Sequence, residues 1–392
     1  MENANKLFIF LITTEIIIGG GGRLLDPLGL FPLRYLFFAI SFVFLILNFI
    51  TGYNTISKKM FLFFLLIMTF PFYGALLGAI YGRDVNDIAF DLQPYAYSFF
   101  LLYIFSLKPS LKEYLFNYFI KCIKYFSIIT SCFYIFYVIL LHAGFIDFIR
   151  FYNVLSLTDE FFFRPSGAFF SKSFFFFGIA SVIFFIERKY FFTLLLLLAI
   201  LLTETRGVFL FACLAILATS FRLNKMYINL LVVMVGLLSF LALMVLVGDR
   251  GGDSDSVRIN DWNYFIANSN LTSLIFGTGF GTHFFERLRI EVVPLEILQK
   301  TGLIGVVVSI LPVLLLIRKG FNKLARNTDL VMSGILIFSL GVSITNPFLY
   351  TPMGIFVLGV SAIAILSEKS AKDELSKGSL KRGRNIKTGY IG

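Results

Sequence analysis

Cysteine, tryptophan, histidine and charge are all scarce in these 392 residues: three Cys, one Trp, two His, and 15% charged side chains. Cys122, Cys132 and Cys213 each sit inside an apolar run. That makes them small buried hydrophobes and leaves no disulfide or metal framework. So few charges exclude an ordinary soluble domain of this length, which has far more polar surface to cover. Apolar and polar residues do not alternate, which argues against a closed barrel. A helical bundle is then the structure that satisfies its own backbone in lipid. Lys6, the apolar stretch Leu7–Ile18 and four glycines imitate a signal peptide. No A-x-A-like cleavage site follows, so the stretch reads as a first span.

What the chain does have is apolar length: 58% of it is hydrophobic and 18% aromatic. Twelve apolar segments stand out, at about 7–18, 30–50, 60–81, 88–106, 115–141, 167–186, 190–203, 207–221, 227–247, 293–317, 329–345 and 352–366. The expected fold is an all-α integral membrane protein of about twelve transmembrane helices, occupying residues 1–366. The first, seventh and eighth segments are short for a hydrocarbon core of roughly 30 Å. Residues 367–392 form a basic tail, expected to be disordered on the cytoplasmic membrane surface. With the N-terminus inside, every interior loop carries at least two basic residues, which places both termini in the cytoplasm. The net charge of +11 is thereby a topology signal and does not call for nucleic acid.

The basic residues partition by kind as well as by number. On this topology the outer set is Arg23, Arg34, Arg83, Arg150, Arg164, Arg206, Arg250, Arg258, Arg287 and Arg289, with only Lys172 and Lys300. Lysine suffices to set topology, whereas the guanidinium fork grips phosphate or carboxylate with two hydrogen bonds. The outer face is therefore read as selected for anions, against the plainer reading of chance clustering. Arg206 is the sharpest case. It interrupts the apolar run Leu194–Leu217, where a charge costs on the order of 2.5–3.5 kcal/mol on insertion scales.

Two outer loops are long, about 142–166 and 248–292. The second opens with GDRGGDSDS, a flexible lead, and continues with Val257, Ile259, Trp262, Phe265 and Ile266 near helical spacing, as in a helix lying on the membrane. Gly277, Gly279 and Gly281 follow no strand and make no dinucleotide fingerprint. They suit either close backbone packing or an oxyanion-type nest. The Phe174–Phe177 run suits packing, lipid contact or a polyprenyl groove. Tyr152, Trp262, Tyr264 and Tyr350 suit sugar stacking or an interfacial belt. Lys300, four positions after Glu296, makes an i,i+4 pair.

RPSGAFFSKSFFFFG (Arg164–Gly178), TETRGVFLFACLAIL (Thr203–Leu217), SVRINDW (Ser256–Trp262), FGTGFG (Phe276–Gly281), VVPLEILQKTGLIG (Val292–Gly305) and TNPFLYTPMG (Thr345–Gly354) occur in that order. Together they resemble the O-antigen polymerase and ligase superfamily, over about residues 164–354. Before that the likeness is one of hydropathy alone. The resemblance implies a GT-C-like bundle with a large extracytoplasmic loop, in the bacterial inner membrane. It implies a glycosyltransferase whose donor is a glycan on undecaprenyl diphosphate, with no metal, nucleotide sugar or soluble cofactor. The acceptor is another lipid-linked repeat unit in the polymerase branch and the lipid A core in the ligase branch. A chain-length regulator and a flippase are expected as partners by resemblance alone.

By that resemblance Arg206 meets the lipid diphosphate; the bland alternative is an arginine snorkelling to headgroups. Glu204 either holds its fork or caps the next helix. Ligases carry a histidine where this chain has Glu291, a departure that favours the polymerase branch. Glu291 is read as the base for the acceptor hydroxyl, as a group that orients a sugar, or as a plain helix-start glutamate. His283 could stand in for the missing histidine. Arg164, Arg258, Arg287 and Arg289 are read as contacts to diphosphate or acidic sugar, or else as headgroup anchors. A transporter of lipid-linked oligosaccharide is the reading from another class, but pseudo-symmetric halves are not evident. A topology reporter fused after residue 270 is expected outside and one after residue 322 inside; the reverse pattern overturns the orientation.

Overall fold

The structure is a computed structural model that describes residues 1–22, 24, 33–52, 55–158, 160–164, 166–222, 252–284, 287–290, 292–322 and 326–367, with backbone alone at 154, 158, 252–256 and 258. It is a bundle of α-helices. In chain order they are α1 (Glu2–Ile18), α2 (Leu33–Ile50), α3 (Lys58–Ile80), α4 (Val85–Ala96), α5 (Phe100–Ser106), α6 (Pro109–His142), α7 (Phe148–Leu155), α8 (Phe175–Ile186), α9 (Tyr190–Leu202), α10 (Arg206–Arg222), α11 (Gly252–Asn268), α12 (Leu271–Phe276), α13 (Val293–Gly320), α14 (Asn327–Val342) and α15 (Pro352–Leu366). Among the described residues, five stretches are long and apolar enough to cross a membrane: α2, α3, α4 continuing into α5, α6 and α13. Eleven of the twelve expected segments coincide with helices. The segment at 227–247 and the tail from 368 onward lie outside the described residues. One short hairpin departs from the all-α pattern: Phe161–Phe163 pairs antiparallel with Phe169–Ser171. Gly167, at φ +83°, closes its turn by donating to the Arg164 carbonyl.

α8 and α15 are apolar on every side and almost wholly buried, so they form the axis of the bundle. The run Phe174–Phe177 is interior packing surface. Gly178 lets α14 come close, since a Cβ there would stand 2.2 Å from the Phe338 ring. Small residues at such crossings replace the hydrophobic drive that lipid removes. Around this axis, α2, α3 and α6 expose Ile46, Leu62, Phe72 and Phe133, an apolar rim suited to acyl chains.

Polar contacts sort the loops into two ends. At one end Asn5 donates to Asn48, Asn48 to Ser106 and Tyr103 to Asn5, all buried. At the same end Lys124 pairs with Glu187, Arg222 donates to the Asn322 carbonyl, and Arg326 to that of Ala364. At the other end Arg34 makes a buried pair with Glu15 at 3.0 Å, and Glu160 accepts from the Gly21 N–H. This is the alternation that the basic-residue pattern requires: the lysine-rich turns, with Arg222 and Arg326, gather at one end, and Arg34 lies at the other. α11 packs at the arginine end. Phe265 faces Phe284, Ile290 and Leu295, while Ile259, Trp262 and Ile266 form an exposed apolar stripe. The helix begins at Gly252, within what reads in sequence as the flexible lead.

α13 is not continuous. Gly302 takes φ +64° and ψ −173°, and the helix breaks there. The break frees carbonyls that the loop after α12 fills: Thr278 N donates to the Gln299 carbonyl and Gly279 N to that of Lys300. The same loop donates from Phe280 N to the Gly74 carbonyl of α3. Gly279, at φ +85°, lies so close to α3 that a Cβ would stand 2.4 Å from the Gly78 nitrogen. The glycine run is therefore a close-packing device, and its N–H groups are spent inside the protein. Gly279→Ala is expected to lower the apparent Tm in detergent well beyond Gly82→Ala. Gly82 has φ +67° with open space around it, so alanine there costs only the roughly 1–2 kcal/mol of a left-handed residue. Equal losses in the two variants would refute the packing role.

Candidate active site

α4 starts where the Asp84 side chain accepts from Asn86 N at 2.7 Å, and one helical turn separates Asp87 from Asp91 on the same face. α13 places Glu296 and Lys300 one turn apart in the same way. The docked loop brings the two helices together. Lys300 Nζ donates to Asp91 Oδ1 at 2.8 Å, to Glu296 Oε1 at 2.8 Å and to the Leu288 carbonyl at 2.5 Å. An ammonium has three protons, and all three are used. Asp91 Oδ2 accepts from Gly281 N at 2.8 Å, so both of its oxygens are engaged. Lys300 and Asp91 are buried. A charge so placed in a membrane bundle persists only when paired and hydrogen-bonded.

These groups form one wall of a cavity of about 540 Å³, within the usual range for a ligand site. Gln93, Arg289 and Asn346 add polar groups to the wall. Its floor is aromatic: Tyr95 stacks on Phe280 with centroids 5.8 Å apart and Phe70 on Tyr350 at 5.6 Å. Tyr350 donates to the Ser309 carbonyl at 2.9 Å, and burial raises its phenol further above the ordinary tyrosine range, so it remains a neutral donor.

The arginines singled out in the sequence divide into groups. Arg289 lines the cavity; its guanidinium lies 4.7 Å over the Phe90 ring and donates to the Phe90 carbonyl at 3.0 Å. Arg206 opens α10 and is half-buried. The next residue, Gly207, packs on Thr345, which lines the same cavity; Arg206 itself is not among the residues that line it. Arg164 and Glu204 form a second group, both within electrostatic reach of the Tyr134 hydroxyl, which donates to the Leu202 carbonyl at 3.2 Å. Arg164 Nε is buried with no hydrogen-bond partner among the described residues. Glu204 adopts φ +56°, a left-handed conformation uncommon outside glycine, and this turns the chain between α9 and α10.

Two of the expected residues tie the loop to its neighbours. His283 Nε2 lies 2.8 Å from Asp87 Oδ2, and Arg287 Nη2 lies 2.5 Å from the buried Asp261 carboxylate. Both His283 and Arg287 are exposed. Glu291 and the Arg258 side chain lie outside the described residues. The Glu296–Lys300 pair forms as its spacing predicts, but the sequence reading missed its partner Asp91. The available signal was DIAFDLQPY (Asp87–Tyr95), whose polar residues recur at helical spacing inside a stretch that reads as a span.

The chain is 50% identical over 367 residues to an O-antigen polymerase of Shigella flexneri, a match covering 94% of this chain and 96% of that one. No family model matches the sequence. No solved structure is similar to it. That identity, carried along nearly the whole of both chains, agrees with the ordered motifs and with the departure at Glu291, and the chain belongs to the O-antigen polymerase family.

Proposed function

We propose that this protein joins lipid-diphosphate-linked repeat units of a surface polysaccharide, and that the cavity beneath Arg289 and beside Arg206 is where it does so. The supporting observation is the gathering of Arg289, Lys300, Glu296 and Asp91 around one cavity at the end of the bundle opposite the lysine-rich turns. The positive-inside rule puts those turns, both termini and the basic tail in the cytoplasm. The cavity then opens on the periplasmic side of the bacterial inner membrane, where an undecaprenyl-diphosphate carrier presents its glycan.

In this reading the leaving group is a diphosphate whose charge grows as the sugar departs. Arg206 and Arg289 bind that charge, and preorganised cations are worth most where charge develops in the transition state. Arg164, whose Nε lacks a partner among the described residues, and Glu204 form the neighbouring face over which the glycan or its lipid passes. His283 and Arg287 hold the large loop, and with Arg258 they are assigned to the substrate path. Glu291 is assigned to the acceptor side, as the base or as a group that orients the incoming hydroxyl. The guanidinium groups serve as the cations of the reaction, with no cofactor required. A flippase that delivers the units and a chain-length regulator are the expected companions.

In a deletion strain complemented with Arg206→Ala, long-chain polysaccharide is expected to disappear at normal protein level, leaving core plus one repeat on gels. Loss of such a donor costs about 10²–10³ in rate. Full-length polymer from that variant removes Arg206 from the mechanism. Arg206→Lys is expected to restore little, because a point charge cannot reproduce a two-bond fork. Glu291→Gln is expected to shorten or erase the ladder; a normal ladder reduces it to a helix-start residue.

A further inference from the structure

The geometry points to Glu296 as the catalytic base that takes the proton of the acceptor hydroxyl. This inference rests on the polymerase reading above and deepens it. The cavity wall holds two carboxylates, and they are bound differently. Asp91 is fully engaged, with one oxygen on Lys300 and the other on Gly281 N. Among the described residues Glu296 has Lys300 as its hydrogen-bond partner, through Oε1; it is partly exposed where it lines the cavity, and Oε2 is the oxygen left to meet a ligand.

The surroundings of Glu296 match the task. Lys300 is held on its far side by Asp91 and the Leu288 carbonyl, so it cannot follow a moving carboxylate and instead fixes Glu296 in place. Such an anchored support keeps a catalytic group within reach of its substrate. Arg289 lies within electrostatic reach of the same carboxylate, which brings the base and a diphosphate-binding cation to one cavity. The broken helix at Gly302 ends the first half of α13 just past this wall. Both carboxylates accept from Lys300, but Asp91 has its second oxygen on Gly281 N, and Glu296 is the one that faces the cavity with an oxygen to spare among the described residues.

The step balances as follows. The acceptor oxygen bonds to the anomeric carbon of the donor sugar. The bond from that carbon to the phosphate oxygen breaks, and its electron pair leaves on the lipid diphosphate. The hydroxyl proton passes to Glu296 and from there to solvent. Glu291, five positions earlier, is then left with the orienting role.

The test uses purified full-length protein in nanodiscs with an undecaprenyl-diphosphate-linked repeat unit as the probe, measuring binding and turnover separately. Glu296→Gln is expected to bind the probe within about threefold of wild type while kcat falls by about 10²-fold or more, the usual worth of a general base. Glu296→Asp keeps a carboxylate beside Lys300 but withdraws it by one methylene. It is expected to fold, to keep KM within about threefold and to lose at least about tenfold in kcat. Wild-type turnover in either variant overturns the assignment. So does a loss of affinity that accounts for the whole loss of rate, which would make Glu296 a structural or binding residue. Failure of the wild-type protein itself to bind or extend the probe would instead overturn the polymerase reading of the cavity.

Discussion

A buried ammonium must place its three protons, and the Lys300 side chain does so on Asp91, Glu296 and the Leu288 carbonyl. These acceptors come from three separate parts of the chain. Removing any one leaves a charged donor unsatisfied in a low-dielectric interior, which costs far more than the intact network gains. The arrangement of α4, α13 and the loop between α12 and α13 is therefore over-determined at this point. The break at Gly302 contributes to the same end. A continuous helix would have kept the Gln299 and Lys300 carbonyls for itself, and the loop would have had no backbone partners on which to dock.

The docking explains why glycine recurs at Gly277, Gly279 and Gly281. Each takes a positive φ; at Gly277 and Gly279 a side chain would collide with a neighbouring element, and at Gly281 it would crowd Arg83 and Ile88. Irregular backbone at membrane depth is tolerated only where protein satisfies it or where it lines a water-filled cavity. The first condition holds here, since the loop's N–H groups reach α3, α4 and α13, while Phe280 and Arg289 line the cavity. The stacked aromatic floor is rigid for the same reason. Its rings pack on one another and on α3, so the cavity is preformed, which lowers the ordering cost of binding.

Charge is divided along the bundle as strictly as shape. The lysine-rich end is closed by ion pairs and by arginine-to-carbonyl bonds between turns, which hold helices together. At the other end arginines sit beside a cavity, at the start of α10 or at the turn of a phenylalanine hairpin. The proposed hold on a lipid diphosphate at the membrane surface would need cations there, with their geometry fixed. The Glu15–Arg34 pair and the contact between Glu160 and Gly21 belong to the same end and tie the hairpin region to α1 and α2.

Hydropathy alone was enough to locate the helices, because a lipid-facing span and a buried span are equally apolar. For the same reason it could not show that α8 and α15 form the axis while α2, α3 and α6 form the rim. The basic residues were enough to sort the turns into two ends and to single out Arg206 and Arg289 as candidates, since charge near apolar runs is legible one residue at a time. The pairing of Glu296 with Lys300 was local, one helical turn, and so was visible in the spacing. Asp91 lies 209 positions from Lys300, and no local period reports a contact that long. Only the tertiary structure could decide it, through the docking of a glycine loop onto a broken helix. It also decided that His283 and Arg287 tie the loop to its neighbours while Arg289 turns to the cavity. The physical reason is that residue type sets what a side chain can bond to, while packing sets which partner comes within reach.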